Sequence, residues 1–249
     1  RTQSDVWTRR FVPALEIGPV DRFVFPTWVN RLVVLAGMGA GALITYGALV
    51  YAYGTLPSTL NVGYSPEQPV PFSHKLHAGE LKMDCRYCHS TVEKAGHAAI
   101  PATSTCINCH SGGDANGITP FTSVHTDSPK LLPIRKSYVT GEPMKWQRVH
   151  DLADYVYFNH SAHVNRGVSC VECHGRIDKM EQVWQDKSLS MSFCLDCHRN
   201  PEPRLRPRSE ITNLAWVGPV EDEMESHKEK IKDEYGEINA STNCSTCHR

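Results

Sequence analysis

The sequence predicts a fold of loops and short α-helices with little β structure, gathered round bound cofactors, plus one transmembrane helix near the N-terminus. Three observations predict it. Residues 32–56 run without a single charge. All ten cysteines fall into one short motif repeated five times. The rest of the chain scatters its apolar residues between prolines and glycines, with no sustained helical or strand period. Composition narrows the classes further. The 249 residues admit one or two ordinary domains. A balance of 26 basic against 27 acidic residues argues against a nucleic-acid binder. Ten cysteines are too sparse for a small disulfide scaffold and too many for an ordinary cytosolic enzyme.

The uncharged run, LVVLAGMGAGALITYGALVYAYGTL, is long enough to cross a bilayer core as a helix. Its glycines suit a membrane better than a soluble helix, and Gly37 with Gly41 makes one small-xxx-small spacing. Arg1, Arg9, Arg10, Arg22 and Arg31 precede it, and the next basic residue is Lys75. The positive-inside rule therefore puts residues 1–31 in the cytoplasm and residues 57–249 on the periplasmic, extracytoplasmic side of the cell membrane. Val50-Tyr51-Ala52 loosely fits a signal-peptidase site. The long leading segment and the long apolar run favour an uncleaved anchor instead. Phe23, Phe25 and Trp28 fit the inner interface, and Tyr46, Tyr51 and Tyr53 the outer one.

The cysteine motif is C-x-x-C-H, at Cys85/Cys88/His89, Cys106/Cys109/His110, Cys170/Cys173/His174, Cys194/Cys197/His198 and Cys244/Cys247/His248. It is the attachment signature of a c-type haem. Two thiols three positions apart form thioethers to the two vinyl groups of one haem, and the next residue offers its imidazole to the iron. Zinc ribbons, thiol exchange and structural disulfides also use paired cysteines. None of them needs a histidine after every second cysteine. With 13 histidines in 249 residues, five such placements by chance have a probability on the order of 10⁻⁷. The expected cofactors are five covalently bound haems c, each carrying iron.

Eight histidines remain: His74, His77, His97, His125, His150, His160, His163 and His227. An electron carrier generally closes both axial positions of its haem, so a second set of ligands is expected among them. Phe72-Ser-His74-Lys-Leu-His77 precedes the Cys85 motif, and Phe158-Asn-His160-Ser-Ala-His163 precedes the Cys170 motif. Each block runs on to a second motif, at Cys106 and Cys194. This is an internal repeat with halves near 70–125 and 150–205, and the C-terminal motif is an extra. Histidines at i and i+3 share a helix face one turn apart, which suits two different irons.

PVPFSHKLHAGELKMDCRYCHSTVEKA, IPATSTCINCHS, WQRVHDLADYVYFNHSAHVNRGVSCVECHGRIDKM and SFCLDCHRNP carry a resemblance. FxHxxH followed by C-x-x-C-H resembles the class III multihaem cytochromes. With its anchor and fifth motif, the chain resembles the membrane-anchored pentahaem subunit of alternative complex III over most of residues 30–249. The quinone reductase complexes of sulfate reducers have similar cytochromes. The resemblance implies bis-histidine ligation with a distal set of His74, His77, His150, His160 and His163. It implies His74 for the Cys85 haem, His160 for the Cys170 haem and His150 for the Cys106 haem, with His77 and His163 serving the other two. His97 is a reserve. Met180 and Met191 are alternatives as axial ligands, though core packing is their ordinary role. His125 and His227, in polar stretches, are expected to be solvated.

The function implied is electron transfer in a quinol-oxidising membrane complex. Electrons would arrive through an iron–sulfur/molybdopterin-like subunit beside polytopic membrane subunits. They would leave to a monohaem cytochrome c or a terminal oxidase. The chain alone would not be catalytic. A stand-alone quinol dehydrogenase and a multihaem enzyme with one open iron are the competing readings; the uniform motifs and spare histidines weigh against the second. Beyond residue 56, basic and acidic residues leave about −3. Arg199, Arg204, Arg206 and Arg208, just after the fourth motif, are candidates to pair with haem propionates. A helix with a solvated face is expected over 221–235.

Overall fold

The computed structural model describes residues 25–111 and 123–248. Arg1, Arg9, Arg10, Arg22 and Phe23, which set the expected orientation of the anchor, lie outside the described residues. The chain divides after Tyr53 into two units. The first holds most of α1 (Thr27–Thr55), a 29-residue helix with a mean hydropathy of 1.9 in its most apolar stretch and no buried residue. By length and composition it can cross a membrane. It starts five residues before the uncharged run, taking in Trp28 and Arg31.

The second unit is built of short helices and long connections: α2 (Cys85–Cys88), α3 (Thr103–His110), α4 (Leu132–Thr140), α5 (His160–Val164), α6 (Cys170–His174), α7 (Met191–Arg199), α8 (Met224–Tyr235) and α9 (Cys244–Cys247). Among the described residues there is no strand, only two isolated antiparallel bridges, Val156 to His248 and Val168 to Leu205. The helices are short because the sequence interrupts them with Gly, Pro and polar caps. Asp84 caps α2 through the Arg86 N–H at 2.8 Å, Asn159 caps α5 through the Ala162 N–H at 3.3 Å, and Ser190 caps α7 through the Phe193 N–H at 3.4 Å. Gly141 closes α4 at φ +72°.

Side-chain cores are small. Val92, Val164 and Ile211 form one cluster; Leu205, Ile231 and Tyr235 form another, with Val168 and Ile238 packed against it. The second cluster explains α8. His227, Ile231 and Tyr235 recur every four residues and are buried, while the charged residues between them face water. The expected solvated helix therefore has one buried stripe. His227, read from sequence as solvated, lies inside it. Its ring donates from Nε2 to the Leu205 carbonyl at 3.0 Å and sits 5.9 Å from the Trp216 ring.

Gly167 marks the tightest backbone approach beside this cluster. Its φ is +88°, and a Cβ there would lie 2.9 Å from both the Arg206 carbonyl oxygen and the Tyr235 ring. Gly167→Ala combines a disfavoured backbone conformation with a clash, and is expected to cost about 2 kcal/mol. Thermal denaturation of the haem-loaded protein checks it; an unchanged midpoint would contradict the packing described.

Candidate haem-binding site

Each C-x-x-C-H motif forms a single helical turn or closes a longer helix, which sets its two thiols on one side. The histidines that follow are held from behind. His89 donates from Nδ1 to the Ala99 carbonyl at 2.9 Å, His110 to Val124 at 3.2 Å and His198 to Ser241 at 2.7 Å. A ring fixed through Nδ1 presents Nε2 as the free donor, the arrangement that orients histidine ligands at metal sites.

The ten thiols are not equally enclosed. Eight are half-buried, whereas Cys109 and Cys244 are exposed. Cys109 stands in the last turn of α3, which touches α4 near its other end, where the Thr103 and Ser137 hydroxyls meet at 3.0 Å. The Cys109 backbone is nonetheless fixed, its carbonyl accepting from the Val124 N–H at 2.7 Å. The thiol keeps the motif spacing and sits at the surface rather than inside.

The two FxHxxH blocks have matching internal geometry. Phe72 meets His74 edge-on at 4.8 Å and stacks on His77 at 4.4 Å; Phe158 meets His160 edge-on at 4.8 Å and stacks on His163 at 4.5 Å. His77 donates from Nδ1 to the Ser73 carbonyl at 2.8 Å, and His163 to Asn159 at 2.7 Å. The repeat read from sequence is thus also a repeat of side-chain placement. One histidine of each block is aimed by the phenylalanine edge, the other by its face and by the preceding backbone.

Three of the expected distal histidines stand opposite a motif histidine. Ring centres are 6.4 Å apart for His160 and His174, with planes 11° from parallel. They are 6.0 Å apart for His163 and His198 and 6.2 Å for His77 and His110. Two imidazoles bound at about 2.0 Å to opposite sides of one metal put their ring centres roughly 6 Å apart. The spacing therefore fits an iron between each pair.

His74 and His174 are the most strongly perturbed bases of the set. Burial, helped by His89 and His77, lowers His74 to about 4. Burial, helped by His150, His160, His89 and His74, lowers His174 to about 3. Both are neutral imidazoles at neutral pH, the form a metal needs. The buried Nδ1 of His74 and Nε2 of His150 have no hydrogen-bond partner.

Of the other candidates, some sit where expected and some do not. His150 lies edge-on against His174 at 4.3 Å rather than beside His110. His125 is exposed, yet its ring lies 6.2 Å from His110 and 20° from parallel. Its neighbour Val124 supplies the carbonyl that fixes His110, so sequence reading missed a residue beside the second motif. His248 has Tyr155 at 5.7 Å. His97 is exposed, Met180 is fully buried in packing, and Met191 is exposed.

The five motifs are neighbours in series. Asn108 donates to the Tyr87 hydroxyl at 3.1 Å, joining the Cys106 motif to the Cys85 motif. Burial and then the Cys106 thiol push Cys88 up. Cys85 and Cys170 are near enough to perturb each other, Cys170 lowering Cys85 and Cys85 raising Cys170. Burial and then Cys194 push Cys173 up to about 12. Cys194 is raised by burial and then by Cys247, and its motif's His198 is tied to Ser241 ahead of the last motif. The order in space is 106, 85, 170, 194, 244, so the first two motifs are reversed relative to the chain. The two exposed thiols, Cys109 and Cys244, belong to the motifs at the two ends of this order. Cys85 and Cys170, equivalent in the repeat, meet in the middle. The halves exchange matching hydrogen bonds there. Lys75 N–H donates to the Met180 carbonyl at 2.9 Å, and Ser161 N–H to the Ala95 carbonyl at 3.2 Å. Ala95 and Met180 each lie ten residues after the first cysteine of their motif.

Among the described residues no three His, Cys, Asp or Glu side chains converge on one point as metal-ion ligands, and all ten cysteines are free thiols. The paired thiols and the facing histidines fit haem instead. Residues 156–249 match the family model described as cytochrome c7 and related cytochrome c. The chain is also similar to the multihaem cytochrome c subunit of menaquinone reductase from Nitratidesulfovibrio vulgaris, strain Hildenborough. The two are 29% identical over 204 residues, which is 81% of this chain and 85% of the relative.

Proposed function

We propose that this chain is a multihaem cytochrome c, a reading its likeness to the cytochrome c7 family model and to the menaquinone reductase subunit supports, and that it binds five haems c and passes electrons along them. It does so as a subunit of a membrane quinone-linked oxidoreductase. The observation that carries the reading is the series of motifs, each beside the next, from Cys106 through Cys85, Cys170 and Cys194 to Cys244. Bound at these residues, haem supplies a reversible one-electron ferric/ferrous couple.

The chain's own residues attach, orient and enclose it. The ten cysteines anchor it in pairs, and His89, His110, His174, His198 and His248 are proximal ligands. His160 serves the iron of His174, His163 that of His198 and His77 that of His110. Repeat equivalence with His160 gives His74 to the iron of His89. His150, with its free buried Nε2, completes the set of ten donors. The uniform carbonyl contacts at Nδ1 hold most of these rings still, which keeps reorganisation on electron transfer small.

The anchor α1 holds the haem domain, residues 57–249, at the periplasmic face, with residues 1–31 in the cytoplasm. The quinone class is supported by the menaquinone reductase relative. The quinol-oxidising, alternative complex III-like direction is supported by the motif ensemble. In that setting electrons arrive from an iron–sulfur/molybdopterin-like subunit, beside polytopic membrane subunits. They leave to a monohaem cytochrome c or a terminal oxidase.

The test is purification of the native chain in mild detergent, with intact mass and identification of bound subunits. The expected result is a mass carrying five haems and co-purification of an iron–sulfur subunit with polytopic proteins. A mass with fewer than five haems would overturn the cofactor reading. A five-haem chain that purifies alone and itself oxidises menaquinol would replace the complex with a stand-alone quinol dehydrogenase.

A further inference from the structure

Four arginines follow the fourth motif, and the structure separates them. Arg199 is exposed. Arg204 is paired with Asp196. Arg208 is exposed, lies over the Tyr235 ring at 5.2 Å and takes Glu234 at 3.7 Å. Arg206 alone is buried, with 4% of its surface exposed.

Its surroundings fix the guanidinium on every side but one. Nη1 donates to the Asn213 carbonyl at 2.8 Å, and Nη2 donates to Glu172 Oε1 at 3.1 Å. The guanidinium carbon lies 4.8 Å from the Trp216 ring centre, a stacking distance. The backbone is held too. Arg206 N–H donates to the Gly167 carbonyl at 2.9 Å, and the Arg206 carbonyl accepts from the Tyr235 hydroxyl at 2.8 Å. Nε is buried and has no partner.

A buried guanidinium N–H without an acceptor is costly, and arginine stays charged at any physiological pH. The residues that hold it belong to the haem-bearing part of the chain. Glu172 lies between Cys170 and Cys173, and Gly167 lies three residues before Cys170. Every haem c brings two carboxylates, and a carboxylate is the acceptor that a charged guanidinium N–H makes its strongest hydrogen bond to.

We propose that Arg206 is a positioning residue whose free Nε–H binds a haem propionate beside the third motif, and whose charge raises that haem's reduction potential. The proposal rests on the five-haem reading above. A positive charge next to a carboxylate of the macrocycle favours the reduced iron, which carries one positive charge less. Glu172 opposes the effect by holding part of the guanidinium charge.

Potentiometric titration of the full haem-loaded chain, followed at the Soret band, tests it with three substitutions. Arg206→Gln is expected to lower one of the five midpoints. The reduction equilibrium of that haem should fall at least tenfold, which is 59 mV for a one-electron couple. Arg206→Lys keeps the charge and should restore most of the shift. Glu172→Gln removes the opposing charge and should raise the same midpoint. Should Arg206→Gln fail to mature, Arg206→Lys and Glu172→Gln remain readable. Five haems by mass with all midpoints unmoved in these variants, and only the thermal midpoint lowered, would overturn the proposal. Arg206 would then be a staple for Asn213 and Glu172. A chain lacking five haems by mass would instead overturn the reading on which the proposal rests.

Discussion

Chain synthesised in cells that lack haem-attachment machinery is expected to be largely unfolded. Among the described residues only ten apolar side chains are buried, and the clusters they form hold three or fewer. A segment of nearly 200 residues ordinarily needs one continuous apolar core. The interior between the motif helices is lined with histidine rings rather than leucines. His74 and His150 each leave a buried ring nitrogen without a partner, a cost that burial alone does not offset. α2, α6 and α9 are single turns of four or five residues, too short to persist in water on their own. Far-ultraviolet circular dichroism of the soluble segment with and without haem measures this. The haem-free form should lose most of its helical signal and be digested rapidly by protease. A haem-free segment that melts cooperatively would show that side chains suffice.

The same feature explains what the sequence could and could not disclose. The motif spacing is local, so the motif itself was legible from sequence: two cysteines and a histidine within five residues need no tertiary information. How deeply each thiol is enclosed was not legible: Cys109 and Cys244 end at the surface while the other eight are half-buried. The FxHxxH repeat was legible because each block packs its histidines on its own phenylalanine. Pairings between distant residues were not. His77 faces His110 and His163 faces His198, each within its own half, while the halves cross over at Lys75 on Met180 and Ser161 on Ala95, and nothing in the spacing encodes either arrangement. His150, assigned to the second motif by resemblance, sits beside His174 on a stretch, 141–155, that forms neither helix nor strand, so no local period points to its partner. His227 was misjudged because the charges around it mask a four-residue stripe shared with Ile231 and Tyr235.

Replacing His160 by Met should have the largest effect on transfer, because His160 belongs to the middle of the series. Its ring is held twice over, by the Nδ1 donation to Gly96 at 2.9 Å and by the edge contact with Phe158 at 4.8 Å. It faces His174 almost parallel. A thioether in its place raises the potential of the iron it binds. A central site of raised potential holds the electron, and each onward step becomes uphill. About 1.4 kcal/mol of such a difference slows the step roughly tenfold. Flash reduction of the five-haem protein, followed at the Soret band, should show one haem filling early and emptying slowly. The near-infrared magnetic circular dichroism of that haem should gain a thioether–iron band. The control is His125→Ala. His125 lies as near His110 as His77 does, but only His77 has a counterpart in the other half, at His163. Removing His125 should leave every haem low-spin and the transfer rate unchanged, whereas His77→Ala should open one iron to carbon monoxide. The reverse outcome for these two would assign the second iron to His125 and break the equivalence of the two halves at that position.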